Sequence, residues 1–197
     1  FNISTAASFV VAGAGVPVAK HGNRSMTSKS GSADVLTSLG VDITLPPEKV
    51  SECIQNIGIG FMFAPSLHPA MKYAMGARKA LETRTVFNIL GPLCNPAGVK
   101  RQLIGIFDGS LTDKVAKVLQ RLGSTHAMVV HGNEGLDEIS TTDDTKYTEL
   151  TSNGEIKSGI FSPSSFGFPA TDLESLRGGG PDKNADIIRK IFTGETG

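Results

Sequence analysis

The sequence is short of cysteine, of long apolar runs and of excess charge of either sign, and each shortage closes off a class of function. Its two cysteines, Cys53 and Cys94, fit no metal-ligand spacing and no disulfide framework, which suits a reducing compartment and predicts a cytoplasmic location. Lysine plus arginine number 19 and aspartate plus glutamate number 19, so no global basic field exists to attract nucleic acid or a membrane surface. Any anion site must therefore be local. The apolar stretch 6–19 falls short of the roughly 20 residues of a membrane span and contains Pro17. The chain opens at Phe1, without methionine or a signal-peptide layout, and is expected to be a piece of a longer protein. At 197 residues, 39% hydrophobic and 19% charged, it is long enough for one compact domain, any second being small.

What is present concentrates in the stretch 18–40, VAKHGNRSMTSKSGSADVLTSLG. An apolar run ending at Val18 and Ala19 passes into Lys20, His21, Asn23 and Arg24, then into the hydroxyls of Ser25, Thr27, Ser28, Ser30 and Ser32. Residues 33–39 have helix-forming composition, with Val35, Leu36 and Leu39 on one side and Gly40 where a helix stops. In the order strand, polar loop, helix, the helix start offers unpaired N–H groups and the positive end of its dipole to an anion. Lys20 and Arg24 add charge, and the serines add neutral donors. A solvated Ser/Gly-rich loop is the alternative that composition leaves open.

Upstream, Asn2-Ile3-Ser4-Thr5 precedes a run of small and apolar residues, 6–15, that reads as a buried helix with Ser4 or Thr5 as N-cap. Capping explains the polar cluster there; the functional alternative is a second helix start facing an anion, with Asn2 and Thr5 as donors. Gly13, Gly15 and Pro17 end that helix, and 16–19 reads as a short buried strand. Downstream, alternation over 41–45 suggests a strand, Pro46-Pro47-Glu48 starts a helix, and 59–64 is a continuous apolar strand closed by Pro65. A helix opening at Pro69 places Met71, Ala74, Met75 and Arg78 on one side. Arg78 is there either a snorkelling side chain or a guanidinium poised for a carboxylate. Residues 84–90 form a short element halted by Gly91-Pro92.

The second half alternates strand 102–107, amphipathic helix 111–122, strand 126–131, and a hairpin turning at Ser152-Asn153-Gly154 in a type I′ turn; a last helix spans 183–192. This alternation predicts an α/β fold with a mostly parallel central sheet flanked by helices. Ligands in such sheets gather at the carboxyl ends of the strands. Two polar segments fall there, the loop after Ala19 and the loop 132–138 with its adjacent carboxylates Asp137 and Glu138. The acidic pair is either simply exposed or turned toward a hard cation such as Mg²⁺. No Ser, Cys or His triad spacing is evident, and no general base is assigned.

FNISTAASFVVAGAG at 1–15, KHGNRSMTSKSGSADVLTSLG at 20–40, HPAMKYAMGARKAL at 68–81, RTVFNILGPLCNPAG at 84–98 and GLDEIS at 135–140 span essentially the whole chain. Together, and in this order, they resemble the anthranilate phosphoribosyltransferases of tryptophan biosynthesis, within glycosyltransferase family 3 and the nucleoside phosphorylase/phosphoribosyltransferase superfamily. The resemblance implies transfer of phosphoribosyl from 5-phosphoribosyl 1-diphosphate to the amine of anthranilate, a Mg²⁺ requirement and a homodimer. It implies an α/β catalytic domain, incomplete at both ends of 1–197, with the helical segment 66–92 belonging to a smaller helical domain. By position it places Asn2, Ser4, Thr5, Lys20, Asn23, Arg24, Ser25, Thr27, Ser28 and Ser32 around phosphoribosyl diphosphate. Asn23 and Arg78, with His21 close by, fall around anthranilate, and Ser4, Asp137 and Glu138 at Mg²⁺.

Two departures stand out. Thr27 replaces the usual serine and keeps its hydroxyl, and the family's glycine-rich GTGGD diphosphate loop, which lies just before the FNIST segment, is not in the chain. The isolated chain is accordingly expected to be inactive or nearly so. A glutamine amidotransferase partner is left open. A pyrimidine nucleoside phosphorylase shares the fold and a KH-containing phosphate loop, but Arg78 and the Asp137-Glu138 pair argue against it. A nucleic-acid-binding relative is disfavoured by the neutral charge balance.

Overall fold

The computed structural model describes every residue except Met26, Thr27, Glu82, Arg84, Ala170, Thr196 and Gly197, and leaves out the side chains of Met75, Arg78 and Lys79. The chain divides into two compact units, Phe1–Ala97 with Arg177–Gly197, and Gly98–Leu176.

The first unit opens with α1 (Ile3–Gly13), which has Asn2 at the N-cap position, so Ser4 and Thr5 lie inside the first turn rather than capping it. Gly15, at φ 86°, turns the chain out of α1 and into β1 (Val18–Gly22). This strand runs further than the sequence pattern suggests, because its partner supplies a full ladder: β1 pairs in parallel with β2 (Ile59–Phe63), Val18 opposite Ile59 and Gly22 opposite Phe63. Lys20 and His21 are thereby strand residues, and successive strand side chains point to opposite faces.

A parallel pair needs a long crossover, which here holds the polar loop, α2 (Ser32–Ser38) and α3 (Pro47–Ile57). Pro47 stands at the start of α3, and Gly58 ends it at φ 79°. A Cβ on Gly60 of β2 would stand 2.7 Å from Ile54 Cγ1 and 2.8 Å from the Val50 carbonyl, so α3 lies flush on the strand. Residues 41–45, which alternate like a strand, form a turn instead. The Asp42 carboxylate accepts from the Thr44 N–H at 2.8 Å and its hydroxyl at 2.7 Å, and local side-chain acceptors of this kind outcompete a ladder where no partner strand lies alongside.

Helices fill the segment expected to be helical: α4 (Ala64–Leu67), a 3₁₀ turn at Pro69–Met71, α5 (Lys72–Leu81) and α6 (Phe87–Leu93). Pro92 does not stop α6, since its fixed φ is itself helical and it falls in the final turn. With α7 (Thr112–Arg121) belonging to the second unit, the first closes on α8 (Pro181–Thr193). Ala185 and Ile188 of α8 pack on Ala6 and Val35, while Ala33, Leu36 and Ile43 form an adjoining cluster with Phe61 and Phe63. The α2–α8 contact is finished by Ser38 Oγ donating to Asp182 at 2.8 Å and Arg189 Nη2 donating to the Ser38 carbonyl at 3.0 Å.

The second unit carries a four-stranded sheet in the order β3 (Arg101–Gly105), β4 (His126–Gly132), β5 (Thr145–Leu150), β6 (Ile156–Phe161). The α/β class holds, with one parallel two-stranded sheet and one mixed four-stranded sheet. β3 and β4 are parallel, joined through α7, whereas β4–β5 and β5–β6 are antiparallel. Val115, Ala116 and Leu119 of α7 and Ala127, Val129 and Val130 of β4 are buried. The β5–β6 turn differs from the type I′ expectation. The Gly154 N–H donates to the Thr151 carbonyl at 2.9 Å, the Thr151 N–H donates to the Glu155 carbonyl at 2.9 Å, and Gly154 has φ 85°. That is the pattern of a three-residue loop with glycine in the left-handed position.

Candidate active site

In the first unit, the start of α1 and the strand β1 bring predicted donors together. Lys20 Nζ donates to Ser4 Oγ at 3.3 Å across sixteen residues of sequence, which places an ammonium beside the first turn of a helix. Thr5 is completely buried, and its hydroxyl has no hydrogen-bond partner among the described residues. Asn2 makes no side-chain bond to its own helix. Its amide instead donates from Nδ2 to the Ser30 carbonyl at 3.2 Å, while Oδ1 accepts from Ser30 Oγ at 3.2 Å.

The loop between β1 and α2 is bonded largely to itself. Ser25 Oγ donates to the Ser28 carbonyl and stands 2.8 Å from Ser28 Oγ; Ser28 Oγ donates to the Ser30 carbonyl at 3.3 Å, and Ser32 Oγ to the Asn23 carbonyl at 3.3 Å. Asn23 Oδ1 accepts the Arg24 N–H at 2.7 Å. The expected anion at the start of α2 is already supplied by the chain. Asp34 Oδ2 accepts the N–H groups of Ser25 and Gly31, each at 2.9 Å, and Oδ1 accepts from Arg24 Nη1 at 2.9 Å. Burial raises the Asp34 pKa, but these backbone donors and the Arg24 guanidinium outweigh it and hold the carboxyl below its ordinary value. Arg24 keeps further N–H groups on its fork, and its guanidinium lies 5.9 Å from the Phe63 ring centre. Thr27 lies outside the described residues, as does the side chain of Arg78, whose backbone is in α5.

On the other face of β1, His21 is clasped by two segments. Its Nδ1 is 3.3 Å from the Gly91 carbonyl, and its Nε2 is 3.2 Å from His68 Nε2. A carbonyl only accepts, so His21 Nδ1 carries the proton, its Nε2 is an acceptor, and His68 Nε2–H donates to it. Burial and the neighbouring His68 lower the His21 pKa, partly offset by the Gly91 carbonyl. Asn95 Nδ2 donates to the Ala19 carbonyl at 3.0 Å and fixes the same strand from the segment after α6.

In the second unit, Asp137 and Glu138 lie in the loop that follows β4. The loop is braced from inside by Glu134, which accepts from the Ser140 hydroxyl and, at 2.5 Å, from the Thr142 hydroxyl. Burial raises the Glu134 pKa, and the two hydroxyl donors overcome it and lower it. Gly105 lets this loop close on the end of β3, since a Cβ there would fall onto the Asp137 carbonyl oxygen. Asp137 is exposed and Glu138 half-buried. Two adjacent carboxylates match Mg²⁺, which takes one or two protein oxygens and completes its shell with water and substrate phosphates; among the described residues no three His, Cys, Asp or Glu gather as a protein-only cage.

Asp34, His68 and Glu134 are the site-building residues that the sequence alone did not single out. Asp34 had a readable signal, an acidic residue in the first turn of a predicted helix. The others act on partners that their local sequence does not point to, and they left none.

The fold and these clusters define a class: an α/β chain that presents lysine, hydroxyl and amide donors at a helix start and strand ends in one unit, and a carboxylate pair at a strand end in the other. A family model described as "Glycosyl transferase family, a/b domain" matches residues 1–197, and the chain belongs to that family. It is 57% identical to an anthranilate phosphoribosyltransferase of Alkaliphilus metalliredigens over 197 residues, 100% of this chain and 58% of that protein. It is 54% identical to the enzyme of that name from Acetivibrio thermocellus, covering 57% of it. Among solved structures, the anthranilate phosphoribosyltransferase of Thermus thermophilus superposes with a TM-score of 0.90 at 42% identity, over 100% of this chain and 57% of that one. The Saccharomyces cerevisiae enzyme in complex with PRPP and Mg gives 0.88 at 32% identity, over 97% and 52%. The chain thus spans somewhat over half the length of the relatives it matches.

Proposed function

We propose that the protein carrying this chain transfers the phosphoribosyl group of 5-phosphoribosyl 1-diphosphate to anthranilate, giving N-(5-phosphoribosyl)anthranilate and diphosphate. The observation that carries this reading is the meeting of Lys20 Nζ with Ser4 Oγ at the start of α1, within a chain matched end to end by relatives of that activity. A cation and a hydroxyl at a helix start form a local phosphate cradle, the kind of site a charge-balanced chain requires.

The C1–O bond to diphosphate breaks with its electron pair staying on the leaving group, the anthranilate nitrogen forms the new bond to C1, and that nitrogen sheds one proton. Lys20, Ser4, Asn2 and Thr5 hold the diphosphate end, with Asn23, Arg24, Ser25, Thr27, Ser28 and Ser32 lining the loop beside it. Arg78 and Asn23 hold the anthranilate carboxylate, and His21, its pKa lowered by burial and by His68, lies close by. No residue is assigned as general base; the chain's contribution is positioning and electrostatic stabilisation of departing negative charge. Ser4 in the first unit would reach a Mg²⁺ and Asp137 with Glu138 in the second would bind Mg²⁺, whose charge would neutralise the diphosphate oxygens. On the same reading the protein is a cytoplasmic homodimer, with a glutamine amidotransferase as a candidate partner.

The test is fluorescence-monitored consumption of anthranilate with phosphoribosyl diphosphate and Mg²⁺ by the full-length protein, beside Arg78→Ala and Asp137→Ala. Consumption that falls at least about tenfold in both variants is expected. Absence of consumption in the unaltered protein, with phosphate-dependent cleavage of thymidine or uridine instead, would replace the reading with nucleoside phosphorolysis.

A further inference from the structure

Asn184 sits at the fourth position of α8, 3% exposed, and reaches across 182 positions of sequence to Asn2, to whose Oδ1 its Nδ2 donates at 2.9 Å. Its own Oδ1 accepts the Gly179 N–H at 2.7 Å. Asn2 in turn donates to the Ser30 carbonyl and accepts the Ser30 hydroxyl, both at 3.2 Å. The polarity of this chain of bonds is fixed at both ends. Gly179 N–H can only donate, so Asn184 must present Oδ1 to it and Nδ2 to Asn2. The Ser30 carbonyl can only accept, so Asn2 must present Nδ2 to it and Oδ1 to Asn184. Neither amide can flip without setting two like groups against each other.

Three segments distant in sequence converge on this relay: the turn before α8, the start of α1 and the end of the polar loop that leads into α2. A Cβ at Gly178 would fall against Asn184 Oδ1 and stand 2.7 Å from Phe1 Cα, so the backbone there is packed tightly around the amide. With Asn2 drawn into the relay, the α1 start is left without a side-chain cap while its register against the loop is fixed. We infer that Asn184 is a positioning residue for the phosphate cradle, setting through Asn2 the placement of the α1 start against the loop of Ser28 and Ser30. The inference rests on the proposed function for what the cradle holds.

Asn184→Asp keeps the shape and reverses one end of the polarity, placing a carboxylate oxygen against Asn2 Oδ1. In the full-length protein it should raise the KM for phosphoribosyl diphosphate by about tenfold, the effect of one lost and opposed hydrogen bond, with the KM for anthranilate unchanged and kcat within about twofold. Amide hydrogen exchange at residues 3–6 and 28–32 should quicken in the same variant. Arg189→Ala is the control: it loosens α8 from α2 through Ser38 without touching the relay, and should leave that KM and that exchange as they are. Unchanged KM and exchange in Asn184→Asp, or an equal shift in both by Arg189→Ala, would overturn the inference while leaving the transferase reading intact. If Asn184→Asp does not fold, Asn184→Ser, whose shorter hydroxyl cannot span both partners, takes its place with the same expected outcomes. Failure of the unaltered protein to use phosphoribosyl diphosphate would defeat the proposed function, and the exchange comparison would still decide whether Asn184 sets the loop.

Discussion

Thr5→Val is a substitution whose sign the structure decides against ordinary expectation. Thr5 is completely buried in the first turn of α1, and its hydroxyl has no partner among the described residues. A buried polar group left unsatisfied costs about 1–3 kcal/mol, and valine has nearly the same shape, the same branching and a similar helix propensity. Replacing the hydroxyl by a methyl should therefore stabilise the protein by about 1–2 kcal/mol, raising Tm by roughly 2–8 °C for a chain of this size. Urea unfolding reads the change as a higher midpoint at constant m. A variant destabilised by about 1 kcal/mol or more would refute the reasoning, since the hydroxyl would then have a partner in the folded protein.

Gly105→Ala should displace the loop bearing Asp137 and Glu138, because its Cβ would fall on the Asp137 carbonyl; a loss of about 1–3 kcal/mol in urea unfolding, together with a raised Mg²⁺ requirement, is expected. Asp34 has its folded pKa lowered by the Ser25 and Gly31 N–H groups and Arg24 against the opposing effect of burial, so the unfolded chain binds the proton more readily. Its contribution is thus present above the unfolded aspartate pKa and lost as pH falls through the folded one, and Asp34→Asn should flatten the acid limb of the stability profile. His21, depressed mainly by burial and then by His68, should titrate below ordinary histidine in a ring-proton NMR titration. The same linkage makes stability rise with pH through that range, and His68→Ala should move the His21 midpoint upward.

The helices and strands of this chain were legible wherever a local device sets them. Proline at the start of α3, left-handed glycines at 40 and 123, and the apolar run of β2 all act within a few residues of themselves. The failures were of the opposite kind. Residues 41–45 alternate like a strand, yet Asp42 has Thr44 at hand and no partner strand among the described residues. β1 extends through Lys20 to Gly22 because β2, far along the chain, offers a ladder.

The same distinction holds at the candidate site. Residue types and order pointed to a basic, hydroxyl-rich loop and an acidic pair, but not to how the donors are spent. Asp34 takes the N–H groups of Ser25 in the loop and of Gly31 at the start of α2, and the serines bond the carbonyls of their own loop. Asn184 could not have been found from its surroundings in sequence, since an asparagine after a glycine run reads only as a helix start. Its meaning lies entirely in Asn2.

The central claim is that the α1 start and Lys20 form a cradle for phosphoribosyl diphosphate, and titration calorimetry of the full-length protein with phosphoribosyl diphosphate and Mg²⁺ tests it most directly. Saturable binding that weakens at least about tenfold in Lys20→Met, while inorganic sulfate competes poorly, is the predicted result. Equal affinity in Lys20→Met and the unaltered protein would contradict it, and the phosphate site would have to be sought elsewhere in the chain.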